Sequence, residues 1–258
     1  MINKKTLSAF AGIFLAVTSI SSQASLMSGW GSYAAARTTD ADNNSVYVGS
    51  GGEGGSFATV EENSYGSAEA LVDMSGPGYL PTLKVKASAA AGQYAGATAF
   101  SSQGFNYTGD NTTISLDINL HGSVGGPSTN ELTAHIGIII GTDFNYYPDF
   151  GTAYYECFCG QKAGTEFLSI HNSVDVNKTG NITFELNAGE SFFVISEMNA
   201  SSENGYVDGW NTLTFGFQDS TGLQAVGGVP TGNEIPEPSS IVLFFMALMF
   251  LVRRQIKL

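Results

Sequence analysis

The sequence predicts an all-β protein, a β-sandwich or jelly-roll-like body, and three observations carry that expectation. Apolar residues recur with period two in separate segments, and turn-forming residues cluster between those segments. Between residues 25 and 235, no stretch sustains a helical apolar period for three turns. Short strands with one apolar face each bury that face most readily by stacking as two sheets.

At the N-terminus, Lys4 and Lys5 precede a mostly apolar stretch from Leu7 to Ile20. Ser22-Gln23-Ala24 then supplies the small residues that a signal peptidase reads. Residues 1–24 are therefore expected to be a signal peptide cleaved between Ala24 and Ser25. The other reading is a retained anchor, but Thr18, Ser19, Ser21 and Ser22 shorten the apolar core below spanning length. The body is expected over residues 25–226.

Asp40-Ala-Asp42-Asn43-Asn44 resembles the opening of a calcium loop, with oxygen ligands at alternate positions. An EF-hand would place Gly where Ser45 stands and Glu where Gly51 stands. A hydrated Asx-rich turn is the first reading. Calcium held by a non-EF loop is the second, and no other metal or cofactor is expected. Gly49 to Ser56 reads as a flexible loop.

Ala68, Ala70, Val72 and Met74 alternate as a strand. Leu83, Val85, Ala87 and Ala89 do so against Lys84, Lys86 and Ser88, and a small-residue strand region continues to Ala99. Ile114, Leu116, Ile118 and Leu120 alternate with Ser115, Asp117 and Asn119. The same pattern recurs in Leu132 to Ile140, Ile182 to Leu186 and Leu213 to Phe217, each read as a half-buried strand. Turns are expected at Thr108–Asn111, Gly125–Ser128, Asn177–Gly180 and Asn187–Glu190, the last closing a hairpin between Ile182–Leu186 and Phe192–Met198.

The residue types that carry familiar hydrolytic chemistry are sparse. His121, His135 and His171 are the only imidazoles, and neither a Gly-x-Ser-x-Gly elbow nor a His-Glu-x-x-His helix occurs. Each histidine reads as an ordinary surface or hydrogen-bonded residue, and no catalytic residue is assigned. A carboxylate pair of a glycan-active hydrolase stays open as a distant third reading.

Cys157 and Cys159 flank Phe158 and point to one face of an extended backbone. A disulfide between them needs a bend at Phe158; intermolecular pairing, free thiols and a soft-metal site are the alternatives. The stretch from Asp143 to Tyr155 concentrates aromatic rings in an expected loop. There Tyr146, Tyr147 and Tyr154 are candidates for stacking on sugars, and the alternative is a loop packed by its own aromatics.

Residues 227–234, rich in glycine, read as a linker to the last segment, 235–258. That segment opens with Pro236-Glu237-Pro238, continues through the uncharged run Ile241 to Val252 and ends with Arg253, Arg254 and Lys257. As a helix the run would span roughly 18 Å at about 1.5 Å per residue, against about 30 Å of bilayer hydrocarbon. It is a single short transmembrane helix at best, with its basic end held on the cytoplasmic side.

Pro236-Glu237-Pro238, the apolar run and Arg253-Arg254 resemble the PEP-CTERM sorting signal of exported Gram-negative bacterial proteins. Ile235 stands where Val is more usual, and the run has Ala247 but no Gly. The resemblance implies two processing partners, signal peptidase and the membrane enzyme exosortase, with the tail removed near the Pro-Glu-Pro element. It also implies a membrane-tethered precursor that matures to the cell surface or the exopolysaccharide matrix of a biofilm. Most β-rich bodies of this family have no assigned activity, so the resemblance implies an all-β extracellular body and little about mechanism.

With both ends removed, Arg37, Lys84, Lys86, Lys162 and Lys178 remain against 23 acidic residues, a net charge of about −18. Nucleic acid is a poor partner for such a surface, because phosphate affinity comes from clustered Lys and Arg. The function expected is a non-catalytic exported protein with a structural or adhesive role. The alternative is a carbohydrate-binding, calcium-dependent or calcium-independent, adhesion module with exopolysaccharide as partner.

Overall fold

The structure is a computed structural model that describes residues 31–53, 56–74, 80–141, 150–156 and 160–226. The signal peptide with Ala24 and Ser25, the linker 227–234 and the sorting segment with Pro236, Glu237, Pro238, Arg253 and Arg254 lie outside the described residues. So do Cys157, Cys159, Tyr146 and Tyr147.

Thirteen strands make up nearly all of what is described: β1 (Gly31–Thr39), β2 (Ser45–Glu53), β3 (Phe57–Glu62), β4 (Gly66–Asp73), β5 (Thr82–Ala89), β6 (Tyr94–Tyr107), β7 (Thr112–Gly125), β8 (Glu131–Ile140), β9 (Gln161–Ile170), β10 (Ser173–Leu186), β11 (Ser191–Ser202), β12 (Gly205–Phe217) and β13 (Leu223–Ala225). They form two antiparallel sheets. The first has the order β2-β1-β6-β11-β8-β9, with β13 on the end of β6; the second has the order β10-β7-β12-β5-β4-β3. The sheets lie face to face, β1 and β6 over β4 and β5, and β11 over β5 and β12. The expected all-β sandwich is thus what the chain forms.

From β5 onward the pairing is nested: β5 with β12, β6 with β11, β7 with β10 and β8 with β9. A long two-stranded ribbon therefore winds through both sheets in turn, and β1 to β4 widen each sheet by two strands on one side. At both lateral edges consecutive strands, β2 with β3 and β9 with β10, pass from one sheet to the other.

Alternation decides which side chains enter the core. Leu83 and Val85, Leu116, Ile118 and Leu120, Ile136 and Ile138, and Ile182, Phe184 and Leu186 are buried between the sheets. Near β13 the core is aromatic, with Phe105 stacked on Phe192 at 5.3 Å and Phe217 edge-on to Phe105 at 5.2 Å. Toward the widened side it is made of alanines, among them Ala34, Ala36, Ala68, Ala70, Ala97 and Ala99. The pair Ser101 and Ser196, both buried, satisfy each other across β6 and β11 at 2.7 Å.

Four expectations are corrected. Gly49 to Glu53 continue β2 rather than forming a loop, because Tyr33 on β1 lies across Gly49 and Gly51 where any Cβ would strike its ring. Asn177–Gly180 is not a turn: these residues pair with Ile118 to His121 inside β10. Asn187–Glu190 does turn the chain, but as an arch between sheets, since β10 pairs β7 in one sheet and β11 pairs β6 and β8 in the other. Leu132 to Ile140 is not half-buried; Gly137 and Ile139 are covered on the outer face as Ile136 and Ile138 are on the inner one.

Candidate functional site

The two outward faces of the sandwich differ in what covers them. On the first sheet, Phe100, Ile139, Phe193 and Ile195 point away from the core and are nevertheless buried, beneath a π-helical turn, Gly151–Glu156. Phe150, just before it, and Ala153 and Tyr154 within it complete the cluster. Glu197, on this same face, accepts the Phe150 backbone N–H at 3.1 Å and holds the start of the turn.

Tyr154 is therefore a packing residue and not an exposed sugar platform. Its ring stacks on Phe150 at 5.2 Å, only 4 % of its surface is exposed, and its hydroxyl donates to the Gly164 carbonyl at 3.0 Å. Burial pushes its phenol above the ordinary tyrosine value, with the neighbouring Tyr155 adding to the effect. Phe150, Tyr154 and Tyr155 pack on one another. His135 lies beside them, edge-on to Phe167 at 4.5 Å and to Phe150 at 5.4 Å.

Over the middle of β10, β7 and β12, the second sheet's outward face is polar and, among the described residues, uncovered. The register of β10, β7 and β12 places Thr179, Asn119 and Thr214 in one row and Asn181, Asp117 and Gly216 in the next. With Ile118, Gly180 and Phe215 they line an open depression of about 700 Å³, a size within the range of small-ligand sites. Gly216 contributes space: a Cβ built there meets nothing within 4 Å.

Hydrogen bonds fix the floor of this trough. Asp117 Oδ1 accepts from Asn181 Nδ2 at 2.8 Å and from Gln218 Nε2 at 3.0 Å, and Thr183 Oγ1 donates to Asn181 Oδ1 at 2.9 Å. Asn119 is different. Its carbonyl oxygen Oδ1 is buried and has no partner among the described residues, a state that costs about 1–3 kcal/mol when nothing donates to the group. Which of the amide atoms is oxygen is itself set by neighbours that donate or accept.

Beside the trough, β12 bulges between Gly209 and Leu213, with Thr212 at φ 104°. The bulge carries Trp210 over the same outward face, its ring 4.6 Å from Lys86 Nζ and 5.9 Å from Lys84 Nζ. Lys86 also pairs with Glu69 at 2.5 Å. Sequence reasoning passed over this site. Asp117 and Asn119 read only as the polar half of an alternation, and nothing short of the register reveals that Thr179, Asn181 and Thr214 flank them.

The remaining candidates are ordinary in their surroundings. His121 Nε2 bonds Asp175 Oδ1 at 2.8 Å on the solvent side of β7 and β10, and His171 stands 3.9 Å from Glu131. Asp40 spends its carboxylate on its own turn, accepting from the Asn44 backbone N–H at 2.7 Å, Asn44 Nδ2 at 2.8 Å and the Asp42 N–H at 2.9 Å. That is the Asx-turn geometry. Among the described residues no group of three or more His, Cys, Asp and Glu is placed to hold a metal ion, and no helix is long and apolar enough to cross a membrane.

Chemically, the trough offers amides, hydroxyls and one carboxylate to a ligand, with no cation among its lining residues. A scan against protein-family models and a search of curated proteins find no match to this chain.

Proposed function

We propose that the chain is a non-catalytic exported protein, sorted through exosortase to the cell surface or exopolysaccharide matrix, where its acidic β body acts structurally or adhesively. The observation that carries this reading is the tail, in which Pro236-Glu237-Pro238, a short uncharged run and Arg253-Arg254 follow one another. The leader ahead of Ser25 supports it, since both ends then serve export and leave together. Each end takes basic residues with it, so processing converts a tethered precursor into a strongly anionic body.

The nested strand winding is that of a jelly roll, and we read the body as a jelly-roll sandwich widened by β1 to β4. Such a body needs no membrane of its own once the tail is gone. Mass spectrometry of the protein recovered outside the cells tests the sorting. The expected mature form begins at Ser25 and ends near Pro238, and loss of the local exosortase should make a form retaining residues 239–258 accumulate. A mature extracellular protein with residues 239–258 intact would falsify the reading.

A second reading, a carbohydrate-binding adhesion module, is favoured by the polar trough on the second sheet. It is compatible with the first. Its ligand contacts would lie on β7, β10 and β12 and not on Tyr154.

A further inference from the structure

We infer that the trough across β10, β7 and β12 binds an uncharged polysaccharide segment, with Asp117, Asn119, Thr179, Asn181 and Thr214 as its hydrogen-bonding floor and Gly216 as the space that admits the sugar. This deepens the carbohydrate-binding reading and rests on it, while it is independent of how the protein is sorted.

Three properties select that ligand. The first is shape: neighbouring strands lie about 4.8 Å apart, so three strands give a floor roughly 10 Å wide, and the depression is open to solvent rather than closed around a small molecule. The second is the donor and acceptor inventory. Hydroxyls of Thr179 and Thr214 donate and accept, the amide of Asn119 does both, and the Asp117 carboxylate accepts only. A sugar, whose every hydroxyl can donate and accept, matches this mixture; an apolar ligand would leave it unpaired.

The third is charge. The lining holds a carboxylate and no Lys or Arg, so a uronate, sulfate or phosphate group would meet repulsion. Asp117 is also already positioned, since Asn181 and Gln218 both bond the same oxygen, Oδ1. Positioning of this kind lowers the ordering cost of binding. Asn119 lies in the same row as Thr179 and Thr214 and brings its side-chain amide to the floor between them. Trp210 on the adjacent bulge lies on the same outward face beside the trough, with Lys86 Nζ 4.6 Å from its ring.

The test uses protein recovered from its native culture and three single variants. Binding is measured by isothermal titration and by retention on immobilised neutral and acidic polysaccharides, including the native matrix. Gly216→Val adds bulk to the trough from a Cβ position that meets nothing within 4 Å, so it should keep the melting temperature and weaken neutral-glycan binding about tenfold or more. Asn119→Ala should weaken it about tenfold. Trp210→Ala should have a smaller effect on the same ligand.

Gly216→Val keeps the proposal falsifiable even if Asn119→Ala fails to fold. Wild-type protein that retains no neutral glycan overturns both this inference and the carbohydrate-binding reading. Wild-type retention that Gly216→Val leaves unchanged overturns the site and leaves the reading standing. Preference for acidic over neutral chains also overturns the proposal.

Discussion

The outer face of the first sheet and the outer face of the second are built from strands of similar length in one sandwich, yet one is sealed and the other is open. On the first, Phe100, Ile139, Phe193 and Ile195 are covered by Phe150, Ala153 and Tyr154. On the second, the corresponding outward positions of β7 and β10 are Ser115, Asp117 and Asn119, and Thr179, Asn181 and Thr183. A strand buried on both faces cannot alternate cleanly; a strand with one wet face must. The difference teaches that the open polar surface follows from which strands alternate, and that Phe150 and Tyr154 belong to the sealed side.

The largest test of the comparison is Phe150→Ala. Phe150 is 1 % exposed and touches Tyr154 and His135, so truncation should cost about 3–5 kcal/mol of unfolding free energy in urea. Thr183→Ala on the open face loses only an exposed hydroxyl's hydrogen bonds and should cost no more than about 1 kcal/mol. Equal losses from the two variants would mean that the helical turn does not seal the first sheet.

A pair of glycines gives the next largest contrast. A Cβ on Gly137 would stand 2.4 Å from Tyr154 Cδ2, whereas one on Gly216 meets open space. Gly137→Ala should therefore cost about 1–3 kcal/mol through overpacking. Gly216→Ala should be neutral within about 0.5 kcal/mol, because the strand loses unfolded-state freedom and meets no clash. Urea midpoints of the two variants, measured side by side, decide between them.

Legibility in the sequence tracks the same contrast. Ile114 to Leu120 and Ile182 to Leu186 alternate because one face is wet, and their strands were readable from period alone. Ile136 to Ile140 and Phe192 to Ile195 are nearly continuous in apolar character, since both faces are covered, and the second cover comes from Phe150 to Tyr154, which belong to neither strand. The glycines of β2 read as a loop because Tyr33, which lies over them, is on another strand. The trough was illegible for a related reason. Its residues come from three strands, and register is set by the nested pairing rather than by any local motif.

Tyr154→Phe probes the sealed face more gently. Losing the hydroxyl's bond to the Gly164 carbonyl should cost about 1 kcal/mol at neutral pH. The phenol is held above its ordinary value near 10 by burial, so folding favours its neutral form. That contribution is complete below the ordinary value and is lost as pH rises through the folded one. Denaturation between pH 8 and pH 11, as approximate limits set by that value, should show a shallower alkaline decline in the variant than in the parent. Identical declines would place the alkaline sensitivity in some other group.

The smallest expected effect lies in the turns, outside both faces. Asp40 is held below the ordinary carboxylate range by the Asn44 side chain and then by backbone N–H groups, Glu190 by the Asn187 backbone N–H and side-chain amide, and Asp219 by the Thr221 N–H. A lowered carboxylate stabilises the fold above its ordinary value, and that contribution is lost as pH falls through the folded one. Acid should therefore weaken the protein below about pH 4 through its turns. Glu190 sits on the arch that carries the chain from the open sheet to the sealed one, accepting from Asn187 N at 2.8 Å. Glu190→Gln should lower the urea midpoint slightly at neutral pH and flatten its acid decline by the same contribution. A variant whose midpoint falls as steeply as the parent's would show that the arch does not couple acid to the junction of the two faces.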